Sequence, residues 1–196
     1  MTGTLFCFGL GYTAGHLARR LAAHGWEVRG TTRHPDGSAA WPLVAFDRDR
    51  PLPEGALAGV THVLTSIPPD EQGDPVLDRH AAELVAVRWI GWLGTTAVYG
   101  DRQGGWVDEA TPIEPTLARA DRRARAEAAW LASGLPVHLF RLAGIYGPGR
   151  NAFVNLKEGT ARRIVKPGQV FSRIHVEDIA TVLEARAHQA GNDRHR

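Results

Sequence analysis

The sequence has a single cysteine, Cys7, and only two lysines, Lys157 and Lys166. A lone cysteine forms no intrachain disulfide and no CxxC metal knuckle, and it fits a reducing cytoplasm. Inside its apolar run Cys7 reads as a small buried hydrophobe. No uninterrupted apolar stretch reaches the roughly 18 residues of a membrane span. No basic segment precedes the first apolar run and glycines interrupt it, so a signal peptide is not expected. The basic side chains are arginines scattered among acids, and the net charge is only +2. Nucleic-acid binding asks for a basic stripe, which is missing. The histidines show no ligand spacing, so no metal site is expected either.

What is present is the composition of a globular domain, 43% hydrophobic and 22% charged. A chain of 196 residues can bury one sizeable core. Short apolar runs at 5–8, 28–31, 43–46, 63–66, in "RWIGWLGTT" and in "PVHLFRLAGIYGPG" read as strands. Between them lie helical patterns. Ala14, Leu17, Ala18, Leu21 and Ala22 share one helix face, closed by Gly25. Residues 76–87 repeat the pattern with Leu77, Ala81, Leu84 and Val85, and an alanine- and arginine-rich helix covers 120–133. Residues 100–116 form a glycine- and proline-punctuated loop. The last periodic segment starts at Asp178 with Ile179, Val182 and Leu183, and "HQAGNDRHR" reads as a frayed end. Alternating strands and helices predict an α/β fold, a doubly wound parallel sheet. Such sheets bind ligands beyond the carboxyl ends of their strands, where strand order reverses.

The first strand leads into that kind of place. Gly9-Leu10-Gly11-Tyr12-Thr13-Ala14 fits G-x-G-x-x-G/A between a strand and an amphipathic helix. Gly9 permits a tight turn, Gly11 leaves room for a pyrophosphate, and Ala14 lets the helix approach the sheet. NAD binders place an acid at the end of the second strand to hold the ribose diol. Here "VRGTTRHP" puts Thr31, Thr32 and Arg33 at that end. Hydroxyls and a guanidinium suit a 2′-phosphate, so NADP is favoured over NAD.

Four segments in order resemble the extended or atypical short-chain dehydrogenases/reductases, the NAD-dependent epimerase/dehydratase family. They are "FGLGYTAGHLARRL", "LGTTAVYGDRQGGWVDEATPIEP", "FRLAGIYGPGRNAF" and "FSRIHVEDIA". The resemblance implies a Rossmann-type NAD(P)-binding fold and hydride transfer between a nicotinamide and an oxygen-bearing carbon. The substrate it implies is a small molecule, a sugar nucleotide among the candidates. Gly9, Gly11, Tyr12, Thr13 and Ala14 would then touch the pyrophosphate. Asp47 would approach the adenine, and Ser66, Ile67 and Pro68 would line the nicotinamide side. Thr95, five residues before Gly100, would be the catalytic hydroxyl, with Thr96 its nearest competitor. Arg141, His175 and Asp178 read as structural. Family members often pair through helices flanking the sheet, which makes helix 120–133 a candidate homodimer surface; ordinary packing onto the sheet explains its pattern equally well.

The resemblance fails at the family's acid/base pair, a Tyr and a Lys four residues apart. Counting back from Glu127, those positions hold Arg119 and Arg123, and no tyrosine lies four residues before either lysine. Arginine keeps its proton near neutral pH. Arg123 would supply positive charge and hold the nicotinamide ribose, while the proton needs another carrier, a water or an acid such as Asp121. Tyr99 and Tyr146 read as packed. The family also continues into a small lobe over the substrate, so the expectation is one domain over 1–196 with that lobe missing or truncated. Two functions follow: an NAD(P)-dependent oxidoreductase or epimerase/dehydratase, or a diverged NADP-binding sensor.

Overall fold

The computed structural model describes residues 2–35, 37, 39–163, 165 and 167–192. Six strands form one parallel sheet: β1 (Thr4–Phe8), β2 (Glu27–Thr32), β3 (Leu43–Ala45), β4 (His62–Thr65), β5 (Trp89–Thr95) and β6 (Val137–Leu142). Their spatial order is β3-β2-β1-β4-β5-β6, so the order reverses between β1 and β4. Register there is set by Leu5 opposite His62 and Phe8 opposite Thr65. The doubly wound parallel sheet is the one the sequence predicts.

Both faces are covered, and side-chain alternation along β1 shows how. Leu5 and Cys7 point to one side, into a core with Leu17 and Leu21 of α1 (Tyr12–Ala23) and Ile179 and Leu183 of α5 (Val176–Asn192). Phe6 and Phe8 point to the other, into a core with Phe46, Ile90, Trp92 and Trp130. That second layer is closed by α2 (Pro75–His80) and α3 (Ala118–Ala132). Burial pushes the Cys7 thiol far above its usual range, so it stays a neutral packing group. Among the described residues no helix is long and apolar enough to cross a membrane.

Several local expectations need correction. Residues 76–87 are not one helix: α2 ends at His80 and a 3₁₀ turn follows over Glu83–Ala86. The tighter turn sends Leu84 and Val87 into the core and leaves Val85 69% exposed. Ala22 and Val182 also face outward. After β6 the chain does not simply enter a loop. Gly144–Tyr146 (β7) pairs in parallel with Arg173–His175 (β8) as a separate two-stranded ribbon. A ribbon outside the main sheet has one open face, and Tyr146 is therefore exposed rather than packed, its ring edge against His175. The stretch expected to fray continues α5 as far as Asn192, and residues 193–196 lie outside the described residues.

Candidate dinucleotide site at the glycine loop

The loop between β1 and α1 is fixed from both sides. Gly9 has φ +82°, the left-handed region that suits glycine. A side chain there would also meet the Ser66 hydroxyl at 2.9 Å and Ile67 at 3.0 Å. Gly9 N–H donates to Thr31 Oγ1 at 2.8 Å, and Leu10 N–H to the Thr31 carbonyl at 2.8 Å. Ser66 Oγ donates to the Gly9 carbonyl at 2.6 Å. Thr31, buried at the end of β2, is therefore a lock on the loop and not a group turned toward a ribose. Sequence spacing placed Thr31 at the right strand end but could not show which way its hydroxyl turns.

Gly11 is different. A Cβ there would meet nothing within 4 Å. Gly11 is the N-cap of α1, no side chain caps that end, and no acid stands in the first turn. An uncapped helix N-terminus presents backbone N–H groups and the positive end of the helix dipole to whatever approaches. Ala14 is buried against the sheet and Thr13 nearly so. The Tyr12 hydroxyl donates to the Pro148 carbonyl at 2.9 Å, and Arg150 lies over the Tyr12 ring. The "GPG" loop is thus tied to the glycine loop, a contact between segments distant in sequence. A cleft of about 470 Å³ opens alongside, lined by Gly11, Tyr12, His16, Arg19, Trp41 and Pro148 among others.

The remaining expected site residues fall as follows. Thr32 is half-buried at the end of β2, and Arg33 is exposed just after it. Asp47 stands two residues past β3, and its carboxylate is occupied by its own turn: it accepts from Asp49 N–H at 3.1 Å and faces Arg50 at 3.4 Å. Ser66, Ile67 and Pro68 follow β4, with only Pro68 exposed. Thr95 ends β5, and its hydroxyl oxygen accepts from Ala97 N–H at 3.2 Å. Thr96, not Thr95, lines a second cleft of about 620 Å³ with Tyr99, Asp108, Glu109 and Arg141.

Arg123 is held inward. It donates to the Leu93 carbonyl at 2.8 Å and stacks over Trp92. Burial pulls its guanidinium below the usual value, and the Asp74 charge partly restores it. Arg119 and Asp121 are exposed, the latter paired with Arg125. Arg141 joins Glu127 and donates to the Tyr99 hydroxyl at 2.7 Å, which holds β6 to α3 as its structural reading requires. The hydrogen bond to Glu127 keeps the Arg141 guanidinium above its ordinary value. His175 Nδ1 accepts from Glu177 N–H, and Asp178 stands in the first turn of α5, where an acid suits the helix dipole.

One organising residue has no motif to announce it. Asp74 is 2% exposed and accepts four hydrogen bonds, from Val76 and Leu77 N–H and from the Trp92 and Trp130 indoles. It caps α2 and joins that helix to β5 and α3. Only the Asp-Pro pair at a helix start hinted at a cap.

No family model matches the chain. It is similar to Protein YeeZ of Escherichia coli K12, 32% identical over 163 residues, which cover 73% of this chain and 59% of that protein. The chain therefore spans less than two thirds of its curated relatives. A functionally unknown conserved protein from Silicibacter pomeroyi DSS is 53% identical, with a TM-score of 0.84 over 93% of this chain and 67% of its own. A Methylobacillus flagellatus structure assigned to the NAD-dependent epimerases/dehydratases is 25% identical, with a TM-score of 0.71 over 98% of this chain and 71% of its own.

Structures of the NAD-dependent epimerase/dehydratase family are thus among those that this chain resembles. The fold alone is shared with MoeE5, solved in complex with UDP-glucose and NAD, which is 20% identical with a TM-score of 0.74 over 92% of this chain and 70% of its own.

Proposed function

We propose that residues 1–196 form one domain that binds a nicotinamide dinucleotide across the β1–β4 crevice, as part of an oxidoreductase or epimerase/dehydratase. The observation that carries this reading is Gly11: open space where its side chain would be, at an uncapped helix N-terminus, beyond the strand pair where sheet order reverses. Gly9 and Thr31 hold the loop, and the N–H groups of Tyr12, Thr13 and Ala14 would face the pyrophosphate. Asp47 would stand toward the adenine, and Ser66, Ile67 and Pro68 would flank the nicotinamide.

NADP is the preferred form in this reading. Thr32 and the exposed Arg33 offer a hydroxyl and a guanidinium at the end of β2, and no acid stands between Val28 and Arg33 to reward a free diol. Structures that share the fold hold NAD, so a direct comparison of the two cofactors decides.

Bound there, the nicotinamide would supply or accept a hydride. Thr95 has the chemistry to steady the substrate oxygen. Its oxygen already accepts from Ala97 N–H, which leaves its own O–H free to donate. Arg123 places positive charge behind β5, where it would also serve the nicotinamide ribose. A sugar nucleotide is the substrate class, by analogy with the UDP-glucose bound to MoeE5.

The test is calorimetric titration of NADP and NAD into the wild-type chain and into Gly11→Val. We expect binding by the first and none by the second, with unchanged circular dichroism. Normal binding by the variant would make the loop a mere turn and end the proposal. Consumption of NADPH over a panel of carbonyl compounds then divides the two functions. Tight binding with no turnover would favour a sensor, as the arginines at the Tyr–Lys positions suggest.

A further inference from the structure

Histidines that show no pattern in sequence meet in space at the far end of α1 from the glycine loop. His24 is the C-cap of α1, while Glu184 and His188 stand one turn apart on α5, which packs along α1. Their ligand atoms, two imidazole nitrogens and a carboxylate oxygen, all lie within 4.8 Å of one another. His24 Nδ1 faces Glu184 Oε1 at 2.8 Å. The other oxygen, Oε2, is taken by Arg20, with Nε at 2.8 Å and Nη2 at 2.6 Å.

We propose that His24, Glu184 and His188 form a site for a divalent transition-metal ion of the zinc type, one that clamps α1 to α5. Two imidazoles and a carboxylate are a set zinc accepts, with water as the fourth ligand. Tetrahedral zinc with ligands at about 2.0–2.1 Å places donor atoms about 3.3 Å apart, a spacing between the 2.8 Å of His24 to Glu184 and the 4.8 Å within which all three ligand atoms lie. The adjustment falls on His24, whose side chain is 62% exposed. Glu184 is 10% exposed and fixed by Arg20 through the oxygen an ion would not use, the outer hydrogen bond that ligating carboxylates need. His188 is steadied by the edge of Trp26, with ring centroids 5.4 Å apart. These three side chains touch none of the residues of the glycine loop, so the site stands independently of dinucleotide binding.

The experiment is titration of the chelator-treated full chain with zinc chloride alone, read by calorimetry and by thermal unfolding. We expect one ion per chain at micromolar or tighter affinity, and a melting temperature that rises with zinc. His24→Ala and His188→Ala should each weaken binding at least tenfold, and the double variant should lose both the binding and the thermal shift. Both side chains are wholly or partly exposed, so circular dichroism should show these variants folded. His138→Ala, on β6, should bind as the wild type does. No saturable binding of one ion, or equal binding by the folded double variant, would overturn the proposal.

Discussion

His62 offers a measurement in which the structure sets sign and size together. It lies at the start of β4, 3% exposed, with Nε2 3.1 Å from the Ala187 carbonyl and Nδ1 2.8 Å from Thr61 Oγ1. The neutral ring satisfies both, donating from Nε2 and accepting at Nδ1. Protonation would put a second donor on Nδ1 in a buried site. Burial chiefly, with Arg88 and His188 nearby, lowers its pKa from 6.5 to about 4, against the raising effect of the Ala187 carbonyl. The unfolded chain therefore takes up this proton first. The contribution is complete above about pH 6.5 and is lost as the pH falls toward about 4, and its full size is about 3 kcal/mol. For a chain of this length that is roughly 6–12 °C in melting temperature. Carboxylates held low by arginines, Asp70 and Glu184, add their own losses in acid. They act equally in both proteins when the wild type is compared with His62→Gln, which keeps hydrogen-bonding groups but does not titrate. Urea unfolding of the two across this range should give a steeper acid loss for the wild type, the gap growing by about 3 kcal/mol. Parallel curves would refute the reasoning.

Three further outcomes follow from the site and its supports. Arg33→Ala should weaken NADP roughly ten- to a hundredfold, the worth of one charge-assisted contact, and leave NAD nearly unchanged; titration with both cofactors checks it. Thr95→Val, without the hydroxyl, should cost about two to three decades of turnover on any accepted substrate, while Tyr146→Phe, on the exposed ribbon, should leave turnover nearly unchanged. Asp74→Ala strips a cap and leaves two buried indole N–H groups unpaired, so urea unfolding should show a loss on the order of 3–5 kcal/mol.

The glycine loop could be read from the sequence because its requirements are local. A turn needing φ > 0 at Gly9 and an open approach at Gly11 leave their mark on adjacent residues, as alternating apolar runs do on a parallel sheet. The four motifs carry the resemblance to the NAD-dependent epimerases/dehydratases for the same reason: each is a short run whose residue types are dictated by one turn or strand end. Helix 76–87 went wrong because periodicity does not distinguish an α-turn from a 3₁₀ turn, and only the core at Leu84 and Val87 selects the tighter one. Tertiary structure alone decided that the Thr31 hydroxyl turns back to Gly9, that Asp74 gathers two tryptophans, and that Arg123 faces the Leu93 carbonyl. The same holds for His24 and His188, which lie 164 residues apart in the chain and meet only because α1 and α5 pack on one face of the sheet. Side-chain partners at such separations are set by the geometry of packing, which leaves no periodic trace in either segment.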